Sequence, residues 1–333
     1  MVKSARRFSV GLVSALLIAG CQTKPTVVRE NVSRSFGGSR ALLGPIALSD
    51  DVVVADARPS FDFSMARVPR SIAINWADYA EAEPSKRGWP QRDLFAAARR
   101  LARLGIAPDS KVVVLGLGDQ GQGEEGRVAW MLAYLGVENV RFGRFGAVKS
   151  RITTEAVPEM VGKPNPGEPP APGKFLKDDR EAQPQESPTV GKPIWKPQVV
   201  ASLIVPKEEI LGAINNNATE KPWGFSGAKP RLYRIIDVRP AAEYLGKAGG
   251  LRAKAIPNIN ALNVPWKEFF DADFRPLVET AERLAAVGVS PRYRIIVLDN
   301  DGVASAAATM ALRAHGYSDA GLFAGGYNDL MAK

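Results

Sequence analysis

A chain of 333 residues with 45% apolar and 24% charged residues has room for two domains of ordinary size, each burying its own core. A single Cys and a single His exclude disulfides, His–Cys zinc sites and Ser-His-Asp triads within one chain. The formal charge of +9 is mild, and no Lys/Arg run is interleaved with aromatics, which argues against a nucleic-acid partner.

The first predicted element is a targeting segment. Basic "MVKSARRFSV" leads into apolar "VGLVSALLIAG", too short for a comfortable membrane span, and Cys21 follows. "LIAGC" resembles the lipobox of bacterial lipoproteins, with Ile18 where Leu is commoner. The resemblance implies cleavage after residue 20 and a lipid on Cys21, held in the membrane at about 0.8 kcal/mol per buried CH₂. Loss of Lys3, Arg6 and Arg7 then leaves about +6, which favours weak attraction to an anionic bilayer. The expected location is the cell membrane or outer membrane, facing the periplasm, with Gln22 leaning outward. A lipidated Cys21 is no thiol nucleophile, so no free thiol is expected in the mature chain. Residues 21–44 are polar without a sustained apolar period and are read as a tether.

Beyond the tether one pattern occurs twice. "VVVADARPSFDF" from Val52 matches "YRIIDVRPAAEY" from Tyr233, "VPRSIAINW" matches "IPNINALNVPW", and "RLARLGIAPDSKVVVLG" matches "RLAAVGVSPRYRIIVLD" without a gap. After a loop, Leu132 and Gly136 match Leu312 and Gly316, and Gly146 matches Gly326. Each copy predicts a strand (52–55; 235–236), a Gly-closed amphipathic helix ("DLFAAARRLARLG"; "LVETAERLAAVG"), a strand (112–115; 295–298), a loop and a second Gly-closed helix. Continuous apolar strands point to burial on both faces, hence α/β with a mainly parallel sheet flanked by helices, twice. The predicted domains are 45–150 and 230–333. The segment 151–229 is predicted as a Pro-rich linker, with nine of the 25 prolines falling in 161–197 and Phe175 and Trp195 as docking points.

The Asp-x-Arg-Pro openings (Asp56 to Pro59; Asp237 to Pro240), the Pro…Trp segments ending at Trp76 and Trp266, the strand-loop-helix and the closing "GGY" resemble two rhodanese-like domains in tandem. The resemblance implies a sulfurtransferase fold in which a Cys after the central strand carries sulfur from a donor such as thiosulfate, on a loop reading Cys-x-x-Gly-x-x-Ser. Asp299, Gly302 and Ser305 keep that spacing, with Asp299 on the Cys position. A carboxylate forms no persulfide and repels thiosulfate. Val303 and Ala304 stand where a basic residue is common, and Asp301 adds a second acid, so the attracting charge is expected to be missing as well. In the first copy, counting from the strand puts Gly116 at the Cys position and counting from the helix puts Asp119 there, because "LGLGDQGQGEEGR" is longer.

No catalytic residue, cofactor or metal is therefore expected. The loop Asp299, Asn300, Asp301, Gly302, Val303, Ala304, Ser305 is read as a binding cradle in which Asp299 accepts N–H bonds at a helix start. The expected role is binding or structural, at the cell envelope, with a possible protein partner there. Three alternatives stand: sulfur transfer through a partner's thiol, a periplasmic small-anion binder, and a carboxylate hydrolase or phosphoacceptor at Asp299 with Asp301 as metal partner. "DNDG" also resembles a fragment of a calcium loop. Asp56–Arg58 and Asp237–Arg239 are read as structural pairs. His315 is expected to be solvated at a helix C-terminus.

Overall fold

A computed structural model describes residues 46–154, 191–225, 227–247 and 259–332. Cys21, the tether and Phe175 lie outside them. The first copy comprises β1 (Val52–Asp56), α1 (Ser60–Met65), β2 (Ile72–Ala73), α2 (Leu94–Arg103), β3 (Lys111–Gly116), α3 (Glu124–Leu135) and β4 (Asn139–Arg144). A helix, α4 (Lys207–Asn215), precedes the second copy. That copy comprises β5 (Tyr233–Asp237), α5 (Ala241–Tyr244), β6 (Leu262–Asn263), α6 (Val278–Ala286), β7 (Arg294–Leu298), α7 (Ala304–Ala314), β8 (Ala320–Leu322) and α8 (Gly326–Leu330).

The two sheets have the same topology, β2-β1-β3-β4 and β6-β5-β7-β8, and every strand pair is parallel. Continuous apolar runs put β3 and β7 at the centres, where Val112 to Leu115 and Ile295 to Leu298 are buried. Gly105 and Gly288, each with positive φ, end the α2 and α6 helical turns, and Gly136 and Gly316 do the same after α3 and α7. In this left-handed region a Cβ would be strained, which is why the repeat keeps glycine there.

The two copies meet along α3 and α7. Both are buried along almost their whole length, from Glu125 to Leu135 and from Ser305 to Ala314. Small side chains permit it: a Cβ on Gly126 would fall 2.3 Å from Ala307 Cβ, so the backbones approach where only hydrogen fits. Residues from both copies consequently share one apolar core, which includes Trp130, Leu132 and Leu135 of α3 and Ala307, Met310 and Ala311 of α7.

The second half of the expected linker is integral to the fold. Trp195 Nε1 donates to Ile106 O at 2.9 Å, Trp130 Nε1 donates to Leu203 O at 3.0 Å, and Ile204 bridges in parallel to Leu322 at the edge of β8. Arg294, buried at the base of β7, holds this strap. Its Nη2 donates to Ile204 O at 3.0 Å and its Nε to Glu209 of α4 at 3.0 Å. Trp195 is thus a docking point, as expected, and the described part of the segment carries a helix of its own, α4. Prolines mark the strap as non-helical, but its polar backbone is satisfied by pairing to both copies.

Candidate functional site

Each β-strand that opens a copy ends in an Asp whose carboxylate is closed on the following Arg. Asp56 Oδ1 accepts from Arg58 N at 3.1 Å and Arg58 Nε at 3.0 Å, while Oδ2 accepts from Nη2 at 2.7 Å. Asp237 repeats the pattern with Arg239 at 2.9, 3.0 and 2.6 Å. Both guanidinium groups lie over a ring, Phe145 at 3.3 Å and Tyr327 at 4.1 Å, so the pairs brace the turn.

Strand register decides which residue of the first copy corresponds to Asp299. Asp56 pairs with Leu115 and Asp237 with Leu298, so the next residues, Gly116 and Asp299, are equivalent. Asp119 is displaced onto the surface. Its side chain is 65% exposed and stands 3.6 Å from Arg144 Nη1.

In the second copy the loop closes around Asp299, which is 4% exposed. Its Oδ1 accepts from Asp301 N at 3.2 Å, Gly302 N at 2.6 Å and Ser305 Oγ at 2.9 Å, and its Oδ2 accepts from Ser305 N at 3.0 Å. The amide donors at the start of α7 thus converge on a carboxylate supplied by the loop itself. Gly302 has φ +84° and its position abuts Ala324 O, which leaves no room for a side chain. Asn300, Asp301, Val303 and Ala304 fill the remainder of the turn. Asn300 Nδ2 donates to Glu243 Oε2 at 2.9 Å, and Val303 N donates to Asp301 Oδ1 at 3.4 Å. Burial, followed by the charge of Asp301, pushes the Asp299 carboxyl up to about 6, against the opposing pull of the Ser305 and Gly302 donors.

The first copy solves the same problem with the acid moved along the loop. Counting back from the matched Leu132 and Leu312, Glu125 is the counterpart of Ser305. A Cβ on Gly116 would lie 2.3 Å from Glu125 Oε2, so the Glu125 carboxyl occupies the space that the side chain of Asp299 fills in the other copy. Gly118 N donates to Glu125 Oε1 at 2.8 Å, whereas Oε2 is buried without a hydrogen-bond partner. Burial pushes this carboxyl up to about 8, which keeps it protonated at neutral pH.

Each loop is also covered by the opposite copy. A Cβ on Gly88 would meet Ala324 O at 1.7 Å and Asp301 O at 2.3 Å, so the turn at Gly88 lies directly on the second loop. Trp89 Nε1 donates to Asp329 Oδ2 at 2.9 Å, and its ring meets Phe323 edge-on at 5.7 Å. In return Lys267 Nζ donates to Asp119 O at 2.6 Å, and the ring of Trp266 lies 3.6 Å from where a Cβ of Gly123 would stand.

Arg127 of α3 was not among the residues the sequence singled out. It is 2% exposed, donates through Nη2 to Gly88 O at 2.5 Å, and lies 4.5 Å over the Trp130 ring. Burial pulls its guanidinium down to about 10, while Asp299 and Asp301 hold it up. The loop itself carries no basic residue, and the positive charge nearest in effect is this arginine of the other copy. Arg127 aligns with an alanine, Ala307, so the repeat gave no sign of it. His315 also differs from expectation. Half-buried, with Nε2 lacking a partner, it is pulled below the usual imidazole range by desolvation.

Among the described residues no group of His, Cys, Asp and Glu is placed to hold a metal ion. No helix there is long and apolar enough to cross a membrane.

The family model of the rhodanese-like domain matches residues 226–333. Among curated proteins, none matches the sequence. Solved structures are similar over most of the chain. SseA from Escherichia coli, described with the rhodanese fold of 3-mercaptopyruvate sulfotransferases, is 20% identical with a TM-score of 0.60, covering 84% of this chain and 93% of its own. The Tum1 protein from Saccharomyces cerevisiae is 16% identical with a TM-score of 0.61, covering 86% and 90%. An anaerobic ergothioneine biosynthesis enzyme from Chlorobium limicola, solved with trimethyl histidine, is 15% identical with a TM-score of 0.59, covering 86% and 64%. Two matching four-stranded parallel sheets and these likenesses give the described chain the rhodanese fold, with the match to the rhodanese-like domain model confined to residues 226–333.

Proposed function

We propose that neither copy transfers sulfur and that the protein serves a binding or structural role at the cell envelope, tethered through a lipid on Cys21. The observation that carries this reading is the carboxylate of Asp299, which takes the amide donors at the start of α7 where sulfur transfer would need a thiol. The only Cys of the chain is residue 21. Glu125 fills the corresponding space of the first copy, and the Gly88 turn lies over the second loop, which leaves an incoming donor such as thiosulfate no approach to Asp299.

Purified mature protein given thiosulfate and cyanide is expected to form thiocyanate at the background rate, and turnover above background sinks the proposal. Asp299→Cys is expected to stay near background as well. The thiol would be as enclosed as the carboxylate it replaces, with the Asp301 carboxylate still beside it to repel an incoming anion.

The tether rests on the lipobox-like "LIAGC" and the polar run after it. Cys21→Ser should therefore move the protein from the membrane pellet to the soluble periplasmic fraction in the native host. Equal pelleting of both forms in carbonate wash would remove the lipid from the proposal while leaving the reading of the loops intact.

A further inference from the structure

The polar face of α2 carries a group of arginines that neither loop uses. Ala96, Arg99, Arg100 and Arg103 follow the i, i+3, i+4, i+7 spacing of one helix face, opposite the buried Ala97, Ala98, Leu101 and Ala102. Because Ala96 is small, the three longer side chains border an open concavity of about 380 Å³, which Gln91 also lines.

Like charges at these spacings repel, so an arrangement of this kind is normally relieved by interleaved carboxylates. Elsewhere in the fold it is: Arg58, Arg239, Arg275 and Arg294 all sit against acids. Arg99, Arg100 and Arg103 have no carboxylate partner among the described residues. Asp93, the acid at the head of the helix, is engaged by Ala96 N at 2.9 Å.

Two of the three arginines are nonetheless held in place. Arg100 donates through Nη2 to Gln91 Oε1 and lies 4.6 Å over the Tyr79 ring, while Arg99 lies 5.5 Å over Phe95. Arg100 Nε is buried without a partner. Positioned guanidinium forks with unspent donors around a small concavity match tetrahedral oxyanions, whose oxygens accept paired N–H bonds.

We propose that Arg99, Arg100 and Arg103 form a binding site for a phosphate group. A free phosphate and the phosphodiester of an anionic lipid headgroup present the same chemistry. This site uses no residue of either loop and does not depend on their being inactive.

The full chain in mild detergent is titrated calorimetrically with inorganic phosphate at low ionic strength, and separately sedimented with phosphatidylglycerol or phosphatidylcholine vesicles. Two double variants are compared: Arg99→Gln with Arg103→Gln, and, as a charge-matched control at exposed positions outside the first copy, Lys221→Gln with Arg292→Gln. The expected result is saturable binding to at least one probe that falls tenfold or more in the α2 variant and less than twofold in the control. Binding to phosphate alone assigns the free anion, and a preference for phosphatidylglycerol alone assigns the headgroup. Arg103→Gln by itself, at an exposed position, should give a partial loss if the double variant is poorly folded. No saturable binding to either probe, or equal losses in the two double variants, overturns the proposal.

Discussion

Asp299→Ala should lower stability by roughly 3 kcal/mol, seen as a melting temperature about 5–10 °C below the parent at pH 7. Four donors converge on the carboxylate: the amides of Asp301, Gly302 and Ser305 and the Ser305 hydroxyl. Alanine leaves them buried with no acceptor, and the Gly88 turn excludes the water that might replace it. Asp299→Asn should be much milder, about 1 kcal/mol. Its amide oxygen can keep the three donors on Oδ1, and only the Ser305 N–H loses its partner. Losing the charge also ends the repulsion from Asp301, which offsets part of that loss. If alanine is tolerated to within 0.5 kcal/mol, or asparagine is as damaging as alanine, Asp299 does not organise the loop in the way its contacts indicate. A hydrolase or phosphoacceptor at this position would show the opposite ranking of consequences, with Asn fatal to activity and nearly silent in stability.

Glu125→Gln should raise stability, and the gain should depend on pH. The carboxyl titrates near 4.5 when free and is pushed up to about 8 by burial in the folded protein. Between those values the unfolded chain releases a proton that the folded chain retains. Folding therefore weakens steadily as pH rises from about 4.5 to about 8, and the penalty is constant above that. Gln has the same shape without the titration. The two proteins should melt alike near pH 4, and the variant should lead progressively up to pH 8, by on the order of 5 kcal/mol, each pKa unit being worth about 1.4 kcal/mol. Parallel melting curves across pH 4 to 9 would place the Glu125 carboxyl in water, contrary to its contacts with Gly116 and Gly118.

The duplication and the α/β class are legible in the sequence because they are written in local signals. Continuous Val, Ile and Leu runs give β3 and β7, and glycines with positive φ end the helices. The outer strands are not visible in the same way. β2 and β6 are two residues each, and "NVRFGR" of β4 has neither a continuous apolar run nor a clean alternation. They exist because a neighbouring strand offers a free edge.

The cradle of Asp299 is readable because its acceptor and donors lie within seven residues. Arg127, Gly88 and Trp89 are more than 170 residues from that loop, and nothing in their own neighbourhoods announces the meeting. The carboxyl of Glu125 is an intermediate case. Its equivalence to Ser305 follows from counting back from Leu132 and Leu312, but its fold back onto Gly116 depends on a glycine leaving that space open.

The mutual covering of the two loops has a consequence for how such a chain can change over generations. A thiol arising by chance at residue 299 would remain sealed under the turn at Gly88, and so would confer nothing on which selection could act. Opening that turn first would expose the buried Asp299–Arg127 neighbourhood to water and forfeit packing without any compensating chemistry. Neither step gains anything alone, and positions 88 and 299 lie in opposite halves of the chain, so under the proposed function sulfur transfer would require both changes at once.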